Sequence, residues 1–110
     1  MRYLVSLMLA LAVASPAAAA FDGAQAVKDS ASVKNAAEDR PAQLEGELVQ
    51  QVAEDIYLFV DESGDVFVEI DDDILKADDV KPGSRVRLSG HVEKDGRSPY
   101  VEVDALEVLD

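Results

Sequence analysis

The 110-residue chain has no cysteine, no tryptophan and a single histidine, and sets only 10 lysines and arginines against 23 aspartates and glutamates. Each shortage excludes something. Without cysteine there is no disulfide staple, no thiolate ligand for zinc and no attachment point for a lipoprotein anchor. One histidine on its own does not read as a zinc site, so no metal and no cofactor is expected. A net charge of −13 repels phosphate backbones, which excludes nucleic acid as the expected partner. The serines lack the elbow motif of a hydrolase, and no nucleophile sits beside a plausible base. Carboxylates are abundant, but nothing singles out a pair for acid–base work. The chain reads as a non-enzyme with no catalytic residues.

Long apolar runs are scarce too. The run from Leu4 to Ala14, broken only by Ser6, is too short to span ~30 Å of hydrocarbon, which takes about 20 residues. Met1-Arg2 precedes it and Ala18-Ala19-Ala20 follows Pro16. This is the pattern of a secretory signal peptide over residues 1–20, cleaved before Phe21. It predicts export, no membrane anchor, and for a cysteine-free domain of this size a periplasmic address. Residues 21–31 read as a leader without strand signals. Residues 32–110 read as one domain. The chain after residue 20 is about 41% apolar, enough for one modest core.

Ser30 or Ser32 is placed to cap a short helix ending near Glu38, before Pro41. From Ala42 the apolar period becomes two, the signature of a half-buried strand. Further strands are predicted over Asp55–Asp61, Asp65–Ile70 and Ser84–Lys94, with a fifth after Pro99. In the fourth, Val86, Leu88, Gly90 and Val92 point inward and Arg85, Arg87, Ser89 and His91 outward. In the fifth, Val101, Val103 and Ala105 share a face, and parity changes near Leu106. Asp71–Asp79 is acidic, with room for one helical turn around Ile74 and Leu75. Its Asp71-Asp72-Asp73 run is a solvated rim rather than a cation site, because consecutive aspartates on an extended chain point apart. An open sheet or an SH3-like barrel suits five strands. The long connection between the third and fourth, and the glycines Gly46 and Gly90 in long strands, favour a mainly β, five-stranded OB-fold barrel with a short N-terminal helix.

The segment Tyr57–Asp73, YLFVDESGDVFVEIDDD, carries the clearest candidate site. A three-residue loop Glu62-Ser63-Gly64 would oppose Asp61 to Asp65. Ile56, Leu58, Val60, Val66, Val68 and Ile70 would then form a core face. Tyr57, Phe59 and Phe67 would lie on the opposite face with Asp61, Asp65 and Glu69. Strands two and three form the usual ligand face of an OB-fold. Rings there can stack on sugars, and acids can accept from hydroxyls or attract cations. These six residues are the predicted ligand-binding set, for a small polar or cationic molecule or a peptidoglycan glycan. The alternative partner is a basic segment of an envelope protein. The competing reading is that the rings pack beneath the N-terminal helix.

Leu44–Gly46, Tyr57–Asp73, Val80–Asp95 (VKPGSRVRLSGHVEKD) and Val101–Leu109 (VEVDALEVL) together resemble the bacterial OB-fold family of exported proteins, the YgiW/YdeI stress-tolerance group. The resemblance covers about Ser32 to Leu109. It implies an OB-fold with an N-terminal helix, a periplasmic address, a role in envelope stress tolerance and no enzyme activity. The chain departs from the family pattern in having Ile74-Leu75 where a tryptophan is common, and His91 where an acid is common.

Overall fold

Alternation of small or aliphatic residues with polar ones from Ala42 onward does build a strand, and a long one. In the computed structural model, which describes residues 26–96 and 98–109, β1 spans Pro41–Ala53. Ala42, Leu44, Gly46 and Leu48 are buried and the residues between them face outward. The predicted signal peptide and the first residues of the leader lie outside the described residues.

β2 (Ile56–Asp61), β3 (Gly64–Glu69), β4 (Arg85–Asp95) and β5 (Ser98–Val108) complete a closed barrel in the order β1-β2-β3-β5-β4. β4 returns to pair with β1, and β3 with β5 is the parallel contact. This is the mainly β, OB-type architecture that the sequence predicts. Two glycines let the long strands wrap. A Cβ at Gly46 would run into the Val60 carbonyl oxygen, and one at Gly90 into that of Glu102. Backbone approaches this closely only where no side chain intervenes.

Phe59, Leu44, Ile70, Leu88, Val68, Val86, Val92 and Val101 fill the barrel and are fully buried. One end is covered by a helix, α1 (Ser30–Val33), whose Val33 is also fully buried. The cap is Asp29, not Ser30 or Ser32: its carboxylate accepts from the Ser32 N–H at 2.9 Å. The helix stops well short of Glu38. The chain also joins the domain before residue 32, since Val27 is buried and bridges to Ala42. α2 (Asp72–Asp78) lies between β3 and β4, and its Ile74 and Leu75 pack on the core. Asp72 and Asp73 occupy its first turn, where the helix dipole favours negative charge. All three residues of the aspartate run are exposed.

Two registers differ from the sequence reading. In the hairpin Asp61 pairs with Gly64, so Glu62-Ser63 is a two-residue loop. The Asp61 carboxylate causes this. It accepts from Ser63 N at 2.9 Å, Ser63 Oγ at 2.7 Å and Gly64 N at 3.2 Å, closing the turn one residue early. A one-residue slip turns every side chain of a strand to the other side. Phe59 now opposes Val66 inside the barrel, while Leu58 opposes Phe67 and Val60 opposes Asp65 outside. In β5 the parity change comes earlier than Leu106. Ser89 pairs with Ala105 and Gly90 with Val103, which leaves Asp104 as the extra residue of a bulge. Ala105 is exposed and Leu106 packs on the core.

Candidate functional site

The register moves the candidate face without abolishing it. Of the six predicted ligand-binding residues, Phe59 is 0% exposed and belongs to the barrel core. Tyr57 lies on the same inner side. It packs against the core and lines a cavity of about 240 Å3 with Leu48, Leu75, Val80 and Pro82. Burial pushes its phenol above the usual range, helped by Asp72 and Asp55. Asp61 is taken up by the hairpin turn and also accepts from the Ser30 N–H at 2.9 Å, tying the turn to α1. Burial alone would raise its carboxyl. The hydrogen bonds from Ser63 and Ser30 outweigh burial and hold it below the usual range.

Phe67, Asp65 and Glu69 remain on the outer side. Phe67 is 46% exposed, beside Leu58 and Val60, which are half-buried here rather than in the core as their sequence pattern suggests. β1 adds Glu47 opposite Val60 and Gln50 opposite Leu58. Val49, left unpaired by a register shift, is 38% exposed. The surface is therefore an apolar strip bordered by acids. It continues over β1 into an open groove of about 910 Å3, lined by Gln43, Glu45, Glu47, Val60, Lys28 and Arg85. Of the cations nearby, Lys28 donates to Gln43, and Lys34 reaches Asp65 only at 4.0 Å, with both groups well exposed. Such a pair contributes little.

At the far end of β3 the acids meet others. Glu69 is in register with Glu102 of β5, and Glu102 with His91 of β4. Burial raises the Glu69 carboxyl, and the charges of Glu102, Asp55, Asp71 and Glu93 raise it further. His91 Nε2 lies 2.9 Å from Glu93 Oε2 and 3.1 Å from Glu102 Oε1, and Nδ1 lies 3.5 Å from Asp104 Oδ2. Burial pulls the imidazole down, but the hydrogen bonds to Glu93 and Asp104 and the charges of Asp104 and Glu102 leave it raised. The sequence places His91 correctly on the exterior and misses its company. A signal existed: a hairpin pairing Asp95 with Ser98 also pairs His91 with Glu102.

A family model described as the bacterial OB fold (BOF) protein matches residues 11–108. The chain belongs to the bacterial OB-fold family. It is similar to the calcium-regulated OB-fold protein CarO of Pseudomonas aeruginosa, 35% identical over 95 residues, which cover 84% of this chain and 82% of CarO. It is similar to protein YgiW of Escherichia coli, 34% identical over 77 residues, covering 70% of this chain and 58% of YgiW. The solved structure of E. coli YgiW superposes with a TM-score of 0.70 at 28% identity, over 76% of this chain and 89% of that one. Membership of this family supports a non-enzymatic binding role.

Proposed function

We propose that this protein is a non-catalytic periplasmic binding module for envelope stress tolerance, and that its ligand is cationic and carries an apolar part. The observation that carries this reading is the outer face of β1–β3, where exposed Phe67 and its neighbours Leu58 and Val60 are bordered by Glu47, Asp65 and Glu69. The periplasmic address rests on the signal-peptide pattern of residues 1–20. Polar ligands stacked between several rings fit this face less well than the sequence suggests, because Phe59 and Tyr57 are turned inward. A basic segment of an envelope protein is favoured by the length of the apolar strip: an extended segment can lay alternate side chains on it and set lysines or arginines against the acids.

Titration of the exported chain with a short Lys- and Leu-containing peptide, and separately with muropeptides, followed by amide NMR shifts, tests this. The peptide should shift Phe67, Leu58, Asp65 and Glu69, and its affinity should fall steeply with added salt. Phe67→Ala should weaken it about tenfold, the scale of an exposed interface anchor. Muropeptide shifts on the same residues that ignore salt would favour the glycan. Shifts confined to other surfaces would overturn the site.

A further inference from the structure

The cluster around His91 is separate from the apolar strip and asks for a different guest. Glu93 Oε2 and Glu102 Oε1 both approach Nε2, and Asp104 Oδ2 faces Nδ1. A neutral imidazole has one N–H and one lone pair. Three carboxylates around it therefore leave a ring nitrogen's lone pair opposed to an anion until a second proton or a metal ion takes that lone pair. Asp39 brings another carboxylate: it, His91 and Glu93 each place one ligand atom within 4.8 Å of the others.

We propose that His91 Nε2, Glu93 and Asp39 bind a divalent first-row transition-metal ion, with its fourth position open to solution. Ligands sharing a tetrahedral ion at bonds of about 2.05 Å sit about 3.3 Å apart. The 2.9 Å separation of His91 Nε2 from Glu93 Oε2 is already near that. Asp104 completes the arrangement from behind. A metal-bound histidine usually donates its other ring N–H to a carboxylate, which fixes the tautomer and the ring. Asp104 stands opposite Nδ1 because the β5 bulge turns it there.

The ligands come from well-anchored backbone. His91 and Glu93 project from the same side of β4, two residues apart, while β5 sets Glu102 in register with His91 and presents Asp104 from its bulge. Asp39 sits in the turn before β1 in the left-handed region (φ 72°), its N–H donating to the Val92 carbonyl at 2.7 Å. The site is open to solution, the His91 side chain being 31% and that of Glu93 26% exposed. An imidazole among carboxylates selects Zn2+, Ni2+ or Cu2+ over Ca2+, which takes six to eight oxygens. This site stands independently of the cationic-ligand face, and the two fail separately.

The test is calorimetric titration of the exported chain with ZnCl2, and in parallel with CaCl2, at near-physiological salt. It is paired with nitrogen-15 spectra of the imidazole, unambiguous because His91 is the sole histidine. One equivalent of Zn2+ should saturate the site and shift Nε2 far more than Nδ1, with Ca2+ at least tenfold weaker. His91→Asn and Glu93→Gln should each weaken Zn2+ tenfold or more. Asp104→Asn should do so about tenfold by loosening the ring. The imidazole shift is read on the unmodified chain, so it does not depend on any variant folding. Binding that leaves the imidazole unmoved, or that survives His91→Asn, is general attraction to an acidic surface and overturns the proposal. So does the absence of saturable binding.

Discussion

The hairpin carries the same two residue types twice, a phenylalanine with an acid two positions on. Phe59 and Asp61 are on the inner side of β2; Phe67 and Glu69 are on the outer side of β3. Phe59 is fully buried and Phe67 nearly half exposed. Asp61 is satisfied by N–H and O–H donors and its carboxyl is held down, while Glu69 faces other acids and is held up. Residue type says little here; the partners decide. A ring and an acid whose partners lie within the fold serve the fold. A ring in solvent and an acid among acids remain open to a ligand.

The two rings give the largest contrast. Phe59→Ala should cost about 3–5 kcal/mol, as deletion of a fully buried ring does. Phe67→Ala should change stability by less than about 0.5 kcal/mol, as exposed substitutions do. Urea unfolding of both variants checks this. Equal losses would mean that the outer ring is also structural, and the candidate face would lose its anchor.

Much of this was legible in the sequence and one step was not. β3 alternates cleanly, with Val66 and Val68 between Asp65, Phe67 and Glu69, so its inner side is legible from the pattern alone. β2 does not alternate: Ile56, Tyr57, Leu58, Phe59 and Val60 are all apolar. Nothing in that run says which side is core, so its facing depended on loop length alone. Loop length in turn depended on Asp61 accepting from Ser63 and Gly64, a side-chain contact with no periodicity to betray it. The His91 cluster was hidden for a related reason. Asp39 is far from it along the chain, and Asp104 reaches it through a bulge that reverses parity.

Asp61 is the next point of contrast. Asp61→Ala should cost about 2 kcal/mol, because backbone N–H groups of Ser30, Ser63 and Gly64 lose a charged acceptor. The loss should appear as a lower urea midpoint and as faster amide exchange at Ser30 and Gly64. An unchanged midpoint would mean that water replaces the carboxylate and that the early turn is set by something else.

The two acids should also answer pH in opposite directions. The folded-state pKa of Asp61 is lowered, so its contribution is present above the unfolded value, near 3.9, and disappears as pH falls through the folded value. Glu69 is raised, so it weakens the fold above its folded value and ceases to do so as pH falls through that value. Metal-free protein should therefore gain stability on mild acidification and lose it on stronger acidification. Asp61→Asn should flatten the acid limb, and Glu69→Gln should reduce the mildly acidic one, leaving the part that comes from the raised imidazole of His91. Urea midpoints measured from about pH 3 to pH 7 separate the two limbs.

Glu69→Gln at neutral pH is the smallest effect and the most direct probe of the outer acid. Glu69 stands in register with Glu102, and like charges facing each other across a sheet cost a few tenths of a kcal/mol. Removing the charge should stabilise the protein by about 0.3 kcal/mol at low salt, and the gain should shrink as salt screens the pair. An acid that served only the fold would cost stability when neutralised, as Asp61 should. A gain on neutralising Glu69, joined to weaker binding of a cationic peptide, would show an acid kept at the expense of stability for its ligand. A loss would place it with Asp61 and leave Asp65 and Glu47 to supply the charge of the face.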